Sequence, residues 1–323
     1  ERASKARADF LSTVSHELRT PLNAINGITY LLLQEKPKVS QLNYLKSLEF
    51  SGNYLLNFIN DILEINRLES DKVVLEKINF NLPELTENIV TSFKEFIHEN
   101  NIKCHLNIDK SINYNLKGDP TKLSQILINL LNNAIKFSKN GDVWCNIIKK
   151  SETTNNVTLY FEIKDNGIGI PKDKQDAIFD SFSQGSVEIN RIYGGTGLGL
   201  SIVKKILELM GSQIQLSSES GKGSTFSFEL QFEKGIANKV KEEVAPDLTL
   251  LNEKKVLLVE DNKINQMITQ KMLEKRGISC NIIDNGEDAI EDTKANDYDL
   301  ILMDVHLPGI NGTEATSEIR KFN

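Results

Sequence analysis

The chain has 323 residues, 39% of them apolar and 26% charged, with a net charge of −7. This balance suits soluble globular material in two or three domains, and it excludes a nucleic-acid-binding protein, whose binding face would be basic. No run approaches the ~20 apolar residues of a membrane span, and the charged start leads into a periodic helix rather than a signal peptide.

Residues 1–70 predict two long helices. Leu11, Leu18, Ile25 and Leu32 recur every seven residues, with Val14 and Ile28 between them. Leu48, Leu55 and Ile62 repeat in the same way, beside Leu45 and Ile59. The short connection around Lys36–Ser40 contains Pro37, so the pair is an antiparallel hairpin. One hairpin buries its seam poorly, and a second copy would complete a four-helix bundle.

With Leu11 at heptad position a, His16 falls at f, the position furthest from the seam. An outward imidazole can reach a separate nucleotide-bearing domain. Its neutral nitrogen is nucleophilic near pH 7, and the adjacent carboxylate of Glu17 can take its proton or fix its tautomer. Thr20 lies one turn on, on the same face. Pro21 removes a helical hydrogen bond beside the reactive side chain and should bend the helix there.

Residues 78–233 mix helices and strands. Helical patterns cover Leu82–Asn100, Thr121–Ser138 and Ser201–Leu209; strand patterns cover Asp142–Ile148, Val157–Lys164, Gln213–Ser217 and Ser224–Gln231. Strands grouped with helices predict an α/β sandwich. On the second helix Asn129, Asn133 and Lys136 form a polar stripe, whose amide oxygens can ligate Mg²⁺ and whose lysine can meet phosphate. A strand ends at Asp165-Asn-Gly167-Ile-Gly169, a carboxylate for the exocyclic amine of adenine beside glycines that let a flat base approach. The turn Gly194–Leu200 then feeds a helix N-terminus, which presents N–H groups to phosphate, although no P-loop pattern is present.

Residues 234–252 are polar and lysine- and glutamate-rich, and predict a linker. Beyond them, 253–323 carries short apolar runs at Lys255–Glu260, Ser279–Ile283 and Asp299–Met303, the start of a doubly wound parallel sheet. Glu260, Asp261 and Asp304 should converge at its carboxyl edge, where three carboxylates need a divalent cation. Cys104, Cys145 and Cys280 are scattered, and read as reduced, mostly buried thiols.

These strings resemble known families. Phe10–Asn23 resembles the phosphoacceptor box of histidine kinases, which implies that His16 takes the phosphoryl group, Glu17 assists and Thr20 supports phosphatase activity. Asn129–Phe137, Asp165–Gly169, Phe179/Phe182, Gly195–Gly199 and Gly223–Thr225 follow the order of the boxes in the ATP-binding domain of those kinases. That resemblance implies Mg²⁺ at Asn129 and Asn133, phosphate at Lys136 and Arg191, adenine at Asp165, and contacts from Gly167, Gly169, Gly195, Thr196, Gly197, Leu198, Gly199 and Thr225. Ile192 stands where relatives often carry lysine. The last block resembles a response-regulator receiver, with Asp304 phosphorylated and the His306 carbonyl joining the metal shell. Receivers continue through two further strands, so the natural protein is expected to extend past Asn323.

The expected molecule is multidomain: an all-α hairpin that dimerises through 1–70, an α/β sandwich binding ATP and Mg²⁺, and a partial doubly wound receiver. Its function would be a hybrid histidine kinase in which ATP phosphorylates His16 and the group passes to Asp304. The alternatives are a net phosphatase of a phosphorylated receiver and a catalytically silent dimeric scaffold. Expected partners are a second copy, its own or a separate receiver or phosphotransfer domain, and an N-terminal sensor, with no nucleic acid and no direct membrane contact. The expected location is cytoplasmic, with or without a tether to the inner membrane.

Overall fold

A computed structural model describes residues 2–69, 73–180, 196–235 and 254–322, with side chains described throughout except at 2–13, His16 and Glu69. The chain falls into two compact units, 1–15 with 57–241, and 16–56 with 242–323. Among the described residues no helix is long and apolar enough to cross a membrane.

Two helices open the chain, α1 (Arg2–Gln34) and α2 (Val39–Glu69), and α1 runs helically through Pro21. Lys36 supplies the turn between them, with a left-handed φ of 54°. Much of the predicted seam is not buried by a single chain. Leu18, Ile25, Ile28 and Leu32 are exposed, as are Leu48 and Leu55 on α2, whereas Leu22, Ala24, Thr29 and Leu31 are buried. Ile59 of the seam is buried, and Val14, Leu45 and Ile62 are half-buried, so the stripe faces outward only in part. Leu11 and the side chain of His16 lie outside the described residues.

The first unit continues through β1 (Ile78–Phe80), α3 (Leu82–Ser92), α4 (Lys94–Glu99), β2 (Lys103–Ile108), β3 (Leu116–Gly118), α5 (Pro120–Phe137), β4 (Asp142–Glu152), β5 (Asn156–Asp165), α6 (Gly199–Leu209), β6 (Gln215–Glu219) and β7 (Gly223–Lys234). The single helix predicted over Leu82–Asn100 is two, broken at Phe93, whose backbone leaves the helical region. The sheet order is β1-β3-β7-β5-β4-β2, with β6 also paired to β7. Strands β4, β5 and β7 send Val143, Cys145, Ile147, Leu159, Phe161, Phe228 and Leu230 to one buried face. Against that face α5 buries Leu123, Ile126, Leu127 and Leu130, and α6 buries Ile202, Val203 and Ile206. Each such side chain contributes roughly 1.5–3 kcal/mol of burial, so this layer fixes α5 and α6 beside each other. Asp119 starts α5 by accepting the Lys122 N–H at 2.9 Å, ahead of Pro120 in the first turn, where its missing N–H costs nothing.

In the second unit, β8 (Lys255–Val259), α7 (Lys263–Glu274), β9 (Ser279–Ile283), α8 (Gly286–Ala295), β10 (Leu300–Met303) and α9 (Gly312–Ile319) form the predicted parallel sheet, in the order β10-β8-β9. The first strand is central, so the carboxyl ends of β8 and β10 are adjacent. The three cysteines are free thiols; Cys145 is buried and its ionisation is pushed up to about 12 by desolvation, while Cys104 and Cys280 are only partly covered. The predicted linker 234–252 lies almost wholly outside the described residues.

Candidate active site

The phosphoacceptor string lies on α1. Ser15 is buried, Glu17 is exposed and Thr20 is half-buried one turn further along. The helical backbone passes through position 16, so the i, i+4 relation between His16 and Thr20 stands at the level of the backbone.

The residues expected to meet a nucleotide converge where α5, the end of β5 and the start of α6 meet. Asn129, Asn133 and Lys136 lie half-buried on α5, off the face that packs on the sheet. Asn129 donates its amide to the Gln125 carbonyl at 2.9 Å. Its oxygen points across to α6, where a β-carbon placed on Gly199 would lie 2.7 Å from it. The Lys136 ammonium sits 4.8 Å from the Phe137 ring centroid, and burial lowers its pKa by disfavouring the charged form.

Asp165 ends β5 almost fully buried. One carboxylate oxygen accepts the Gly167 N–H at 2.9 Å and the Ser224 N–H at 3.2 Å. Desolvation raises its pKa above the usual carboxylate value, and those two hydrogen bonds oppose the rise. The backbone around it is packed too closely for side chains. A β-carbon at Gly167 would lie 2.2 Å from the Phe137 carbonyl oxygen, and one at Gly223, where φ is 104°, would lie 2.0 Å from that of Asp165. Gly169 follows with φ of 64°.

Thr225 does not join this group. Strand alternation turns it to the face opposite buried Phe226, and it is Ser224 whose amide reaches Asp165. The sequence held a signal for this, since Ser224 directly follows the crowded Gly223. At α6, the Thr196 hydroxyl oxygen accepts the Leu198 N–H at 3.2 Å, Gly197 has φ of 72°, and Leu198 is wholly buried. Arg191, Gly195 and Phe182 lie outside the described residues.

The carboxylates of the second unit do converge. Glu260, Asp261 and Asp304 bring one oxygen each within 4.8 Å of one another. Glu260 has a raised pKa, first from desolvation and then from the charges of Asp304 and Asp261, opposed by its hydrogen bond from Asn265. Hard oxygen donors held in mutual repulsion fit a divalent cation such as Mg²⁺. Asp304 is half-buried and accepts the His306 N–H at 3.1 Å, which fixes the loop that carries the His306 carbonyl.

Three contacts had no signal in the sequence. On α2, Asp61 accepts the Thr196 hydroxyl at 2.7 Å, and Glu64 pairs with Lys122 of α5 at 2.5 Å. In the second unit, Gly27 of α1 lies against Ile268 of α7.

Comparison with known proteins agrees with this geometry. Residues 6–71 match the family model of the His Kinase A (phospho-acceptor) domain, and 118–234 that of the histidine kinase-, DNA gyrase B- and HSP90-like ATPases. Residues 256–323 match the response regulator receiver domain. Similar curated proteins include the sensor histidine kinase AruS of Pseudomonas aeruginosa, 35% identical over 99% of this chain and 32% of its own. The autoinducer 2 sensor kinase/phosphatase LuxQ of Vibrio vulnificus is 36% identical over 99% of this chain and 38% of its own. The aerobic respiration control sensor protein ArcB of Escherichia coli is 34% identical over 99% and 41%. The chain thus spans about a third to two-fifths of the length of these relatives. Full-length ShkA, crystallised with AMPPNP, shares the fold with a TM-score of 0.58 at 23% identity, over 98% of this chain and 91% of that one.

Proposed function

We propose that this chain, a member of the hybrid sensor histidine kinases, moves a phosphoryl group from ATP to His16 and from there to Asp304. The observation that carries the reading is the convergence of Asp165, Asn129 and the Thr196–Gly199 turn between the sheet and the start of α6.

Asp165 accepts the exocyclic amine of adenine, held in place by the Gly167 and Ser224 amides. The α6 N-terminus and Lys136 receive the phosphates, and Asn129 and Asn133 would hold the metal. Bound Mg²⁺ would neutralise phosphate charge there, and at the Glu260, Asp261 and Asp304 cluster it would shield the incoming group. The His16 nitrogen attacks the γ-phosphorus, the bond to the β,γ-bridging oxygen breaks, and ADP leaves. Glu17 accepts or orients the imidazole proton. In the second step an Asp304 oxygen attacks the same phosphorus and the imidazole leaves. Catalysis rests on positioning and charge stabilisation.

Dimerisation through 1–70 is supported by the outward stripe of Leu18, Ile25, Ile28, Leu32, Leu48 and Leu55, too large an apolar surface to leave in water. A second reading, net phosphatase action on a phosphorylated receiver through Glu17 and Thr20, draws on the kinase/phosphatase designation of LuxQ. Incubation with γ-labelled ATP tests the proposal. Wild type and Asp304→Ala should gain acid-labile label and His16→Gln should gain none. Label surviving in His16→Gln would overturn the assignment, and loss of label from a pre-phosphorylated receiver without net labelling would favour the phosphatase.

A further inference from the structure

The C-terminal half of α2 does more than support the bundle. Ile65 and Leu68 are buried in the core of the ATP-binding domain, with Phe58 and Ile62 packed against it. On the same stretch of helix Asp61 and Glu64, one turn apart, reach the turn before α6 and the first turn of α5. Glu64 pairs with Lys122 in the first turn of α5, at 2.5 Å, both side chains less than one-fifth exposed. Asp61 accepts the Thr196 hydroxyl at 2.7 Å, and the same hydroxyl oxygen accepts the Leu198 N–H at 3.2 Å.

The geometry points to Asp61 as a resting-state latch: its carboxylate holds the Thr196 hydroxyl at the anion-seeking turn before α6 and must give way when the phosphates of a nucleoside triphosphate arrive. Three features support this. The α6 N-terminus attracts negative charge, and the Asp61 carboxylate stands one hydroxyl away from the Leu198 N–H. Two anions cannot share that turn without strong repulsion at such distances. Among the described residues the partner that stabilises Asp61 is a hydroxyl rather than a cation, while burial and the charge of Glu64 both disfavour its ionised form, so the contact is poised to open. Glu64, bound to a lysine, would hold the domain on α2 while Asp61 releases. Asp61 is therefore a positioning residue, acting through Thr196 on nucleotide affinity.

The inference rests on reading Thr196–Gly199 as a phosphate-binding turn. It is tested by titrating a fluorescent ATP analogue with Mg²⁺ into the intact 323-residue chain and its Asp61→Ala and Asp61→Asn variants, with KM for ATP measured in parallel. Asp61→Ala should bind the triphosphate about tenfold more tightly, the equivalent of one charge-assisted hydrogen bond released. Asp61→Asn, which keeps an acceptor but removes the charge, should fall between. KM should drop with kcat less affected, and affinity for adenosine, which has no phosphates, should stay unchanged. Equal or weaker triphosphate binding by Asp61→Ala would overturn the latch alone. A wild type that binds no nucleotide would overturn the phosphate-binding reading and the latch with it.

Discussion

Gly27 of α1 and Ile268 of α7 meet so closely that a β-carbon on Gly27 would lie 2.3 Å from the isoleucine Cδ1. Glycine within a helix costs about 1 kcal/mol relative to alanine, and here it admits a buried side chain of the receiver segment to the helix that carries His16. The bulk of Ile268 and the absence of bulk at 27 fit together as knob and hole.

Filling the hole should separate the two steps of the reaction. Gly27→Leu should leave ATP-dependent labelling of His16 within about twofold and slow transfer to Asp304 about tenfold or more, since overpacking costs roughly 1–3 kcal/mol. Rapid-quench transfer kinetics from pre-labelled protein would measure it. Transfer at the wild-type rate would show that this contact is not the one used.

Thr20 lies on the face of α1 shared with position 16, half-buried. Thr20→Ala should keep His16 labelling and slow the loss of phosphate from Asp304, so the steady-state receiver phosphate rises. Equal decay in the two proteins would remove Thr20 from the hydrolytic step.

Gly223→Ala should destabilise the ATP-binding domain by about 3 kcal/mol or more, through a positive φ and a carbonyl contact that cannot relax cheaply. Chemical denaturation would register this, and nucleotide affinity would fall with it because Asp165 and Ser224 shift. Ser224→Ala, which keeps the donating amide, should be far milder.

Mg²⁺ added without nucleotide should raise the melting temperature of the receiver segment, by the equivalent of about 2.7 kcal/mol at a concentration one hundred times Kd. Asp261→Asn should remove most of that rise. An unchanged response in Asp261→Asn would place the ion elsewhere.

A pH test addresses the far end of the sheet. Lys149 and Lys234 hold Glu152 down to about 2, and Tyr114 beside it is pushed up to about 12, first by desolvation and then by Glu152. The folded pKa of Glu152 lies below its usual 4.5, so the stabilisation is complete above pH 4.5 and is lost as pH falls through about 2. Glu152→Gln should therefore melt lower than wild type at pH 7, with the difference closing across that window. A gap of constant size would assign the effect to packing instead.

Much of this protein was legible from local pattern. Asn129 and Asn133 share a helix face, and Asp165 and Gly167 share a strand end, by short-range spacing; it is the resemblance to the kinase boxes that groups the helix with the strand end. Glu260, Asp261 and Asp304 follow from a simple topological rule, that adjacent parallel strands share a carboxyl edge. Three-residue strands such as Ile78–Phe80 and Leu116–Gly118 escaped notice because they are shorter than any period, and their pairing partners lie far away in sequence. Ser224 and Thr225 adjoin in one motif, and only the pairing of β5 with β7 decides which backbone amide reaches Asp165.

The sequence by itself determined the order of the segments, the helix that carries His16, the strand ends that carry Asp165 and Asp304, and the glycines the backbone would need. Each of these depends on a residue and its near neighbours. Only the tertiary structure decided that Leu18, Ile25 and Leu32 face outward, that Asp61 reaches Thr196, and that Gly27 receives Ile268. A heptad states that a face is apolar but not what covers it, and a contact across 135 or more residues has no period. Such contacts follow from how packed layers orient whole elements, which no local propensity encodes.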